Sequence, residues 1–194
     1  MDRRKLLKSL LLVPVAPLAA MAGQLAHAQS GNTAGRGAKV VEELQKNWNA
    51  LLAEGTLVPS AAEKLDLPKS EWKKRLTPAQ YTVLREDGTE RAYSSPLDRE
   101  KRPGVFVCAG CELPLFSSAM KFDSGTGWPS FFTTIPGVFG ISRDFKLLLP
   151  RVEYHCARCG GHHGHVFDDG PAPTGKRYCN NGVAMRFIPK TGAA

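Results

Sequence analysis

The cysteines are the residues whose number and spacing indicate chemistry most directly. Four of the five form two Cys-x-x-Cys pairs, Cys108 with Cys111 and Cys156 with Cys159, and 44 residues lie between the pairs. A two-residue spacing lets one turn direct two thiolates at the same ion, and two such turns complete a tetrahedral zinc site. We therefore predict one structural zinc ion with these four cysteines as ligands; two disulfides are the alternative.

The fifth cysteine, Cys179, stands in the stretch "GKRYCNNGVAMRF". A cysteine acts as a nucleophile when positive charge or hydrogen-bond donors stabilise its thiolate. Arg177 lies two residues earlier, on the same side of the chain if this stretch is a strand. The polar neighbours Asn180 and Asn181 argue against a core strand. We expect Cys179 to be a nucleophile, with Arg177 beside the substrate; a small buried apolar side chain is the alternative.

Three histidines follow the second cysteine pair, in "GHHGHVFDDG". Histidine exchanges protons near neutral pH, so a histidine beside a thiol forms a pair of nucleophile and acid. We expect a loop, fixed in space by the zinc ion, to bring His162, His163 and His165 towards Cys179.

Trp128 lies in a glycine-rich stretch, "FDSGTGWPSFF" at residues 122–132, and precedes a proline. An aromatic face favours sulfur-bearing methyl groups, by about 0.3–1.5 kcal/mol per contact. Trp128 is therefore expected to form the wall of a pocket; packing in the core is the alternative.

The remaining patterns predict which elements position these residues. Apolar residues recur at helical intervals between Val40 and Leu52, which predicts an amphipathic helix over residues 40–54. Two more helices are predicted to begin at Ser70 and at Thr77, where a hydroxyl cap precedes a proline. From Gly104 onward, short β-branched and aromatic runs between turn residues predict strands, in "GVFVC", "FFTTI", "FKLLL", "VEYHC" and "MRFIP". The expected fold is mostly antiparallel β, with short helices at its start.

The first 28 residues differ in composition from the rest of the chain. A basic start that includes Arg3 and Arg4 precedes an apolar run, and the small residues of "AHAQS" follow. This pattern predicts a cleaved export signal. The paired arginines favour the twin-arginine route to the periplasm or another exported location, with a general secretory signal as the alternative.

The charge of the chain predicts no nucleic-acid partner. Without residues 1–28 the chain has 22 basic and 17 acidic residues, a net charge of +5 that is spread along it. Membrane contact is expected only through the export signal. We assign residues 1–28 to the signal, 29–37 to a flexible linker, 38–67 to a helical extension, 68–190 to the main domain and 191–194 to a tail.

The motifs of residues 68–190 resemble those of the B-type methionine sulfoxide reductases. "GTE" at 88–90, "CAGC", "KFDSGTGWPSF", "RVEYHCARC", "HHGHVFDDGPAPTG" and "RYCNN…MRFIP" occur in that family's order and near its spacing. The resemblance implies two antiparallel sheets rolled into a small, barrel-like domain clamped by zinc. It also implies reduction of methionine-R-sulfoxide, in proteins and free, through a cysteine sulfenic acid, and thus repair of oxidised exported proteins.

The resemblance further implies roles for single residues. Cys179 would attack the sulfoxide sulfur, His165 would protonate the departing oxygen, and His162 would position the substrate. Asp169 would orient the histidine network. The implied partners are proteins that contain methionine sulfoxide and a thioredoxin-like or other thiol donor.

Two more residues carry over, and three positions depart from the family pattern. Asn181 corresponds to the asparagine two residues after the nucleophile, and Trp128 would hold the methyl group of the substrate.

His163 replaces a usually aliphatic residue and Asn180 a usually apolar one. Thr126 stands where many members have a resolving cysteine. We therefore predict a one-cysteine cycle, in which an external thiol attacks the sulfenic acid.

Overall fold

The computed structural model describes residues 35–145 and 150–191. Within these ranges, nine strands form two antiparallel sheets, and three α-helices precede them along the chain. The prediction of a mostly β domain with two antiparallel sheets and short helices at its start is therefore confirmed.

The helices and strands have the following bounds. The helices are α1 (35–46), α2 (Lys69–Arg75) and α3 (Pro78–Glu86). The strands are β1 (Gly104–Cys108), β2 (Pro114–Ser117), β3 (Lys121–Phe122), β4 (Ser130–Phe131), β5 (Phe139–Asp144), β6 (Arg151–Cys156), β7 (His162–Phe167), β8 (Arg177–Asn180) and β9 (Met185–Pro189). One sheet has the order β2-β1-β9 and the other the order β3-β4-β8-β7-β6-β5.

The helix starts agree closely with the sequence signals. Thr77 caps α3: its side chain accepts a hydrogen bond from the Gln80 backbone N–H, and the Gln80 side chain accepts one from the Thr77 N–H. Helix α2 begins one residue before the predicted start at Ser70. Helix α1 ends at residue 46 and is followed by a 3-10 turn, Trp48–Leu51, so the predicted helix over 40–54 is divided in two.

The extension before α2 packs on the main domain. Leu44 and Trp48 lie against the buried core, and the Gln45 side-chain amide donates to the Thr133 hydroxyl at 2.9 Å. Further along, the Leu65 N–H donates to the Arg158 carbonyl at 2.8 Å. The apolar face that the sequence predicts for α1 therefore faces its own domain.

Three predictions about strands need correction or lie outside the described residues. The histidine run, predicted as a loop, is strand β7, because strands β6 and β8 pair with it on both sides. The run "FFTTI" contributes only Phe131 to a strand, β4. Residues 146–149 of "FKLLL" lie outside the described residues, and β5 ends just before them.

Aromatic rings join the two sheets at the centre of the core. Phe131 of β4 stacks on Phe116 of β2 with ring centroids 3.9 Å apart, and its edge meets Phe106 of β1 at 5.1 Å. All three side chains are fully buried. This packing fixes the β4 end of the larger sheet, which lies beside β8.

The predicted export signal, residues 1–28, lies outside the described residues, as does most of the predicted linker. Residues 35–37, assigned to that linker, already belong to α1. Among the described helices, none has both the length and the hydropathy that crossing a bilayer requires.

Candidate active site and metal centre

The register of the larger sheet places Cys179 between two polar residues. Cys179 of β8 lies opposite Ser130 of β4 on one side and opposite His165 of β7 on the other. His165 in turn lies opposite Glu153 of β6. Residues directly opposite each other on neighbouring antiparallel strands point to the same face. The four side chains therefore form one row across the sheet, with the thiol beside an imidazole.

Gly164 allows β7 and β8 to approach each other beside this row. It lies opposite Asn180, and a Cβ atom at this position would collide with the backbone carbonyl of Cys179. Only glycine fits without moving one of the strands, so the sequence "HGH" has a packing reason as well as a chemical one.

Asp144, at the end of β5, orients His165. Its Oδ2 atom lies 2.7 Å from His165 Nε2 and accepts a hydrogen bond from the Arg151 guanidinium, also at 2.7 Å. A carboxylate only accepts hydrogen bonds, so the proton of this contact is on Nε2 and Nδ1 is free to serve the substrate. Burial lowers the pKa of His165, and the hydrogen bond to Asp144 opposes that shift.

His162 lies beside His165 but is held by a different carboxylate. The two imidazole rings are 5.4 Å apart. His162 Nδ1 lies 2.7 Å from Glu153 Oε1, and the other oxygen of Glu153 accepts a hydrogen bond from the Ser142 hydroxyl. His162 is thus part of the histidine network. It is buried, and it lies beside His165 rather than opposite Cys179.

Cys179 opens into a cavity of about 240 Å³. The cavity is lined by Thr89, Thr126, Trp128, Arg151, Gly164, His165, Phe167, Arg177, Cys179, Asn180 and Asn181. Burial raises the pKa of the Cys179 thiol, and the Arg177 guanidinium and the Thr126 hydroxyl oppose this increase. The thiol is therefore accessible to a small ligand, with the donors that can stabilise its thiolate at the same opening.

Arg177 and Asp169 form one unit. The Arg177 guanidinium donates two hydrogen bonds of 2.8 Å to the carboxylate of Asp169 and lies over the Phe167 ring, 4.4 Å from its centroid. The sequence interpretation expected Asp169 to orient the histidines. In the structure Asp169 contacts Arg177 instead. Glu153 of β6 contacts His162 and Asp144 of β5 contacts His165, because β6 pairs with β7 and β5 is the next strand beyond β6 in the sheet.

Trp128 and Asn181 also line the cavity. Trp128 Nε1 donates to the Glu90 carbonyl at 3.2 Å. The Asn181 amide donates to the His163 carbonyl at 3.0 Å, and its Oδ1 accepts from the Glu90 N–H at 2.9 Å. Both side chains are thus fixed by backbone groups, and the indole serves as a wall of the cavity.

Hydroxyl groups connect Thr126 to the strand beside the nucleophile. The Ser124 hydroxyl lies 2.8 Å from the Thr126 hydroxyl and 2.8 Å from that of Ser130. Ser130 is the residue directly opposite Cys179. The loop that carries a resolving cysteine in many members of the resembled family therefore has a chain of hydroxyls here.

His163 points away from the thiol, into the core. It is fully buried, its ring meets Phe139 edge-on at 5.6 Å, and neither ring nitrogen has a hydrogen-bond partner among the described residues. Burial, reinforced by the nearby His162, lowers the pKa of His163 to about 3. His163 is therefore neutral at physiological pH and does not belong to the face that carries Cys179 and His165.

The other four cysteines form a buried cluster in which each Sγ atom lies within 4.8 Å of the others. Cys108 Sγ is 3.7 Å from Cys159 Sγ, and Cys111 Sγ is 3.5 Å from Cys156 Sγ. These separations exceed the S–S bond length of about 2.05 Å. They are close to the edge of about 3.8 Å that a tetrahedron with metal–sulfur bonds of about 2.3 Å would have. The cluster thus fits one tetrahedral metal ion.

Comparison with known proteins agrees with this geometry. Residues 76–189 match the SelR domain family. The peptide methionine sulfoxide reductase MsrB of Methanosarcina barkeri is 52% identical over 128 residues, which cover 66% of this chain and 90% of that protein. The MsrB of Agrobacterium fabrum is 49% identical over 127 residues, 65% of this chain and 94% of that protein. This chain belongs to the MsrB family of peptide methionine sulfoxide reductases.

A plant protein is similar over a stretch of nearly the same length. The chloroplastic peptide methionine sulfoxide reductase B1 of Arabidopsis thaliana is 51% identical over 126 residues, 64% of this chain and 62% of that protein. The match to the family begins within residues 68–190, the range assigned to the main domain, and ends one residue before its last residue.

Sequence reasoning missed three residues of this MsrB-family site: Asp144, Arg151 and Glu153. Arg151 and Glu153 lie inside the quoted motif "RVEYHC". The motif alone does not show that β6 pairs with β7, and it is this pairing that brings the two side chains near the histidines. Asp144 precedes His165 by 21 positions in the sequence. The alternation of strand residues in "FGISRD" is the only signal that could have placed Asp144 on a strand, and it does not say which face the strand buries.

Proposed function

We propose that this chain reduces methionine-R-sulfoxide in proteins, and the free amino acid, to methionine, with Cys179 as nucleophile. The observation that carries this proposal is the pairing of Cys179 with His165 at a cavity that Trp128 closes on another side. A thiol alone is weakly nucleophilic near neutral pH, and a sulfoxide oxygen leaves only when it is protonated. The site supplies both a thiol and an acid.

The chemistry uses one proton and two electrons. The Cys179 thiolate attacks the sulfoxide sulfur while His165 gives the proton on Nδ1 to the oxygen. The resulting hydroxyl group then bonds to the Cys179 sulfur, while its bond to the substrate sulfur and the new S–S bond both break. Methionine leaves with two more electrons on its sulfur, and Cys179 remains as a sulfenic acid. Trp128 holds the methyl group by dispersion, Asn181 and Arg177 line the substrate pocket, and His162, held by Glu153, lies beside His165.

A one-cysteine cycle completes the turnover. Cys108, Cys111, Cys156 and Cys159 are buried together, and Thr126 occupies the loop next to Cys179. An external thiol, of a thioredoxin-like protein or a small molecule, therefore attacks the sulfenic sulfur and releases water. A second thiol then frees Cys179 and leaves as the disulfide. The net reaction consumes two thiols for each sulfoxide.

The cysteine cluster would hold zinc with a structural role. Four thiolates at tetrahedral separations suit zinc and leave no open position for substrate. When bound, the ion supplies a fixed connection between the turns after β1 and β6, and the reaction itself needs only the residues around Cys179.

Repair of exported proteins is the cellular role that we propose. The basic and apolar residues 1–28 support export by the twin-arginine route, which carries folded proteins and would preserve thiolates already bound to zinc. The periplasm is the expected location, and its proteins that contain methionine sulfoxide are the expected substrates.

A stereochemical assay tests the activity. The chain without residues 1–28 is incubated with dithiothreitol and with each epimer of a methionine sulfoxide peptide, and methionine is quantified. We expect turnover of the R epimer alone. Equal rates on both epimers, or turnover of the S epimer only, would contradict the proposal. Cys179→Ser should abolish turnover and leave the zinc content at one ion per chain.

Mass spectrometry tests the one-cysteine cycle. The protein is treated with methionine-R-sulfoxide in the absence of a thiol and then with dimedone, which labels sulfenic acids. We expect the label on Cys179 and no disulfide. A disulfide between Cys179 and any of the four clustered cysteines would show that an internal thiol resolves the intermediate.

A further inference from the structure

The motif "GTE" at residues 88–90 has no role in the chemistry above, yet its glutamate makes four hydrogen bonds around the site. Glu90 lies between α3 and β1, half-buried. Its two carboxylate oxygens, its backbone N–H and its carbonyl each contact a different group. These contacts divide into an anchor, made by the side chain, and two site contacts, made by the backbone.

The side chain is the anchor. Glu90 Oε1 accepts from the Gly182 N–H at 2.7 Å and Oε2 accepts from the Val183 N–H at 2.8 Å. These two N–H groups belong to the 3-10 turn Gly182–Ala184, which directly follows Asn181. N–H groups at the start of a helical turn lack partners within the turn, and a carboxylate binds them strongly. The carboxylate therefore ties Glu90 to the segment after the nucleophile strand.

The backbone of Glu90 holds one cavity-lining residue on each side. Its N–H donates to Asn181 Oδ1 at 2.9 Å, and its carbonyl accepts from Trp128 Nε1 at 3.2 Å. Trp128 and Asn181 come from segments 53 positions apart in the sequence, and both line the cavity at Cys179. The two peptide groups that flank the Glu90 Cα thus set the distance between the indole wall and the amide.

We propose that Glu90 is a positioning residue for substrate binding: its carboxylate fixes the backbone that holds Trp128 and Asn181 at the cavity. This inference rests on the proposed function, since it assumes that the cavity receives the sulfoxide. If the carboxylate no longer fixes the Glu90 backbone, the Trp128 indole and the Asn181 amide move apart, which weakens binding of the substrate's methyl group. Cys179 and His165 are held by the β7–β8 pairing and are not disturbed.

Glu90→Gln is the test, because it keeps the size and one acceptor oxygen. The new NH₂ group faces an N–H of the turn, so one of the two anchoring hydrogen bonds is lost. With a methionine-R-sulfoxide peptide and dithiothreitol, we expect KM to rise about fivefold or more, and kcat to stay within about twofold, as for loss of a binding contact. The control is Glu86→Gln, an exposed glutamate at the end of α3, which should change neither constant.

Two further measurements separate positioning from general stability. Hydrogen exchange of the three indole N–H groups, followed by NMR of ¹⁵N-labelled tryptophan, should speed up in Glu90→Gln at Trp128 and remain unchanged at Trp48 and Trp72. In the double variant of Glu90→Gln and Trp128→Phe, KM should rise by less than the product of the two single fold-changes. The reason is that both substitutions weaken the same contact between Trp128 and Glu90.

The outcomes distinguish this inference from the proposed function. A wild-type protein that reduces the R epimer, with a Glu90→Gln variant that melts earlier but keeps KM and Trp128 exchange, would overturn the positioning role alone. A wild-type protein without reductase activity would overturn the proposed function, and the Trp128 exchange rate would still decide whether Glu90 holds the indole.

Discussion

The proposed role of His165 as the acid depends on charged and titratable side chains from four strands. Asp144 of β5 contacts the imidazole directly, Arg151 and Glu153 face it from β6, His162 from β7, and Cys179 from β8. Burial lowers the pKa of His165, Arg151 and His162 lower it further, and Asp144 raises it. Asp144 is therefore the group that favours the protonated, acidic form of the histidine against these effects.

Asp144→Asn should make the site less active and shift its pH dependence. Removal of the carboxylate lowers the pKa of His165 further, so the imidazolium form is lost at a lower pH and the limb of the kcat/KM profile that His165 sets moves to lower pH. The fraction of imidazolium at neutral pH falls with it, and kcat/KM drops about tenfold for each unit of pKa lost. The measurement is kcat/KM between pH 4 and 10. Asp168→Asn, at an exposed carboxylate that pairs with Lys176, is the control and should leave the limb in place.

A kcat/KM profile that is unchanged in both height and limbs in Asp144→Asn would mean that His165 is not the acid. A kcat that is lower at all pH values, with no limb moved, would assign Asp144 to the geometry of the site rather than to its protonation.

His163→Leu should stabilise the protein. His163 is fully buried and its ring nitrogens have no partner among the described residues. An unsatisfied buried polar group costs about 1–3 kcal/mol, and leucine has nearly the same size. We expect the free energy of unfolding in urea to rise by about 1–2 kcal/mol, with kcat unchanged because the ring points away from Cys179. His155→Leu, on the partly exposed histidine of β6, should give no such gain; a loss of stability in His163→Leu would show that the imidazole is hydrogen-bonded.

The sequence allowed Cys179, His165 and Trp128 to be placed at one site, because each stands in a short motif with its own chemistry. It did not allow the partners of the histidines to be chosen. Asp169, four positions after His165, was the nearest suitable carboxylate in the sequence, but it contacts Arg177. Asp144 is far away in the sequence and meets His165 only through the register of three strands, which no local pattern specifies.

At the scale of elements, the turns of the two cysteine pairs share one construction. After Cys108, the Glu112 N–H donates to the Cys108 carbonyl at 2.8 Å, and after Cys156 the Gly160 N–H donates to the Cys156 carbonyl at 2.8 Å. Glu112 and Gly160 both have a left-handed backbone, with φ of 63° and 69°. The Cys-x-x-Cys spacing predicted such turns because it is a local property of the chain.

The histidine strand shows where local patterns fail. "GHHGHVF" contains glycines and no alternation of apolar residues, so it was expected to be a loop. It forms β7 because β6 and β8 supply hydrogen bonds on both sides, and because His162 finds a carboxylate on β6 and His165 finds one on β5, the strand beyond it. Tertiary pairing therefore overrides a weak intrinsic preference for β structure.

Gly164→Ala should disturb this pairing. The added Cβ meets the carbonyl group of Cys179, which is backbone and cannot turn aside. We expect the free energy of unfolding to fall by about 2–3 kcal/mol and kcat/KM to fall with it, since the His165–Cys179 pair is the next one along the strands. Urea unfolding and steady-state kinetics measure the two effects. Gly35→Ala, in α1 with no atom near the new Cβ, should leave both unchanged, and an unaltered Gly164→Ala would mean that the strands can separate without cost.

At the scale of the main domain, the cysteine cluster connects the two sheets. Cys108 is the last residue of β1, in the smaller sheet, and Cys156 is the last residue of β6, in the larger one. The stacked rings of Phe116 and Phe131 join the same sheets elsewhere. The larger sheet carries every residue of the row at Cys179, so a loss of the connection at β6 acts on the site through β7.

Loss of the metal should therefore remove stability first and activity as a result. In Cys111→Ser we expect the zinc content to fall to a small fraction of one ion per chain, and Cys108, Cys156 and Cys159 to react with Ellman's reagent at the rate of exposed thiols. The free energy of unfolding should fall by several kcal/mol, less than the about 10–16 kcal/mol that zinc contributes to small zinc-finger peptides, because those peptides have no other core. Cys179→Ser is the matched control: it removes one thiol of β8, outside the cluster, and it should keep the metal and the melting temperature while activity disappears. If Cys111→Ser retained the ion and its stability, the four cysteines could not act as one tetrahedral site, and the joining of the two sheets would depend on the aromatic core alone.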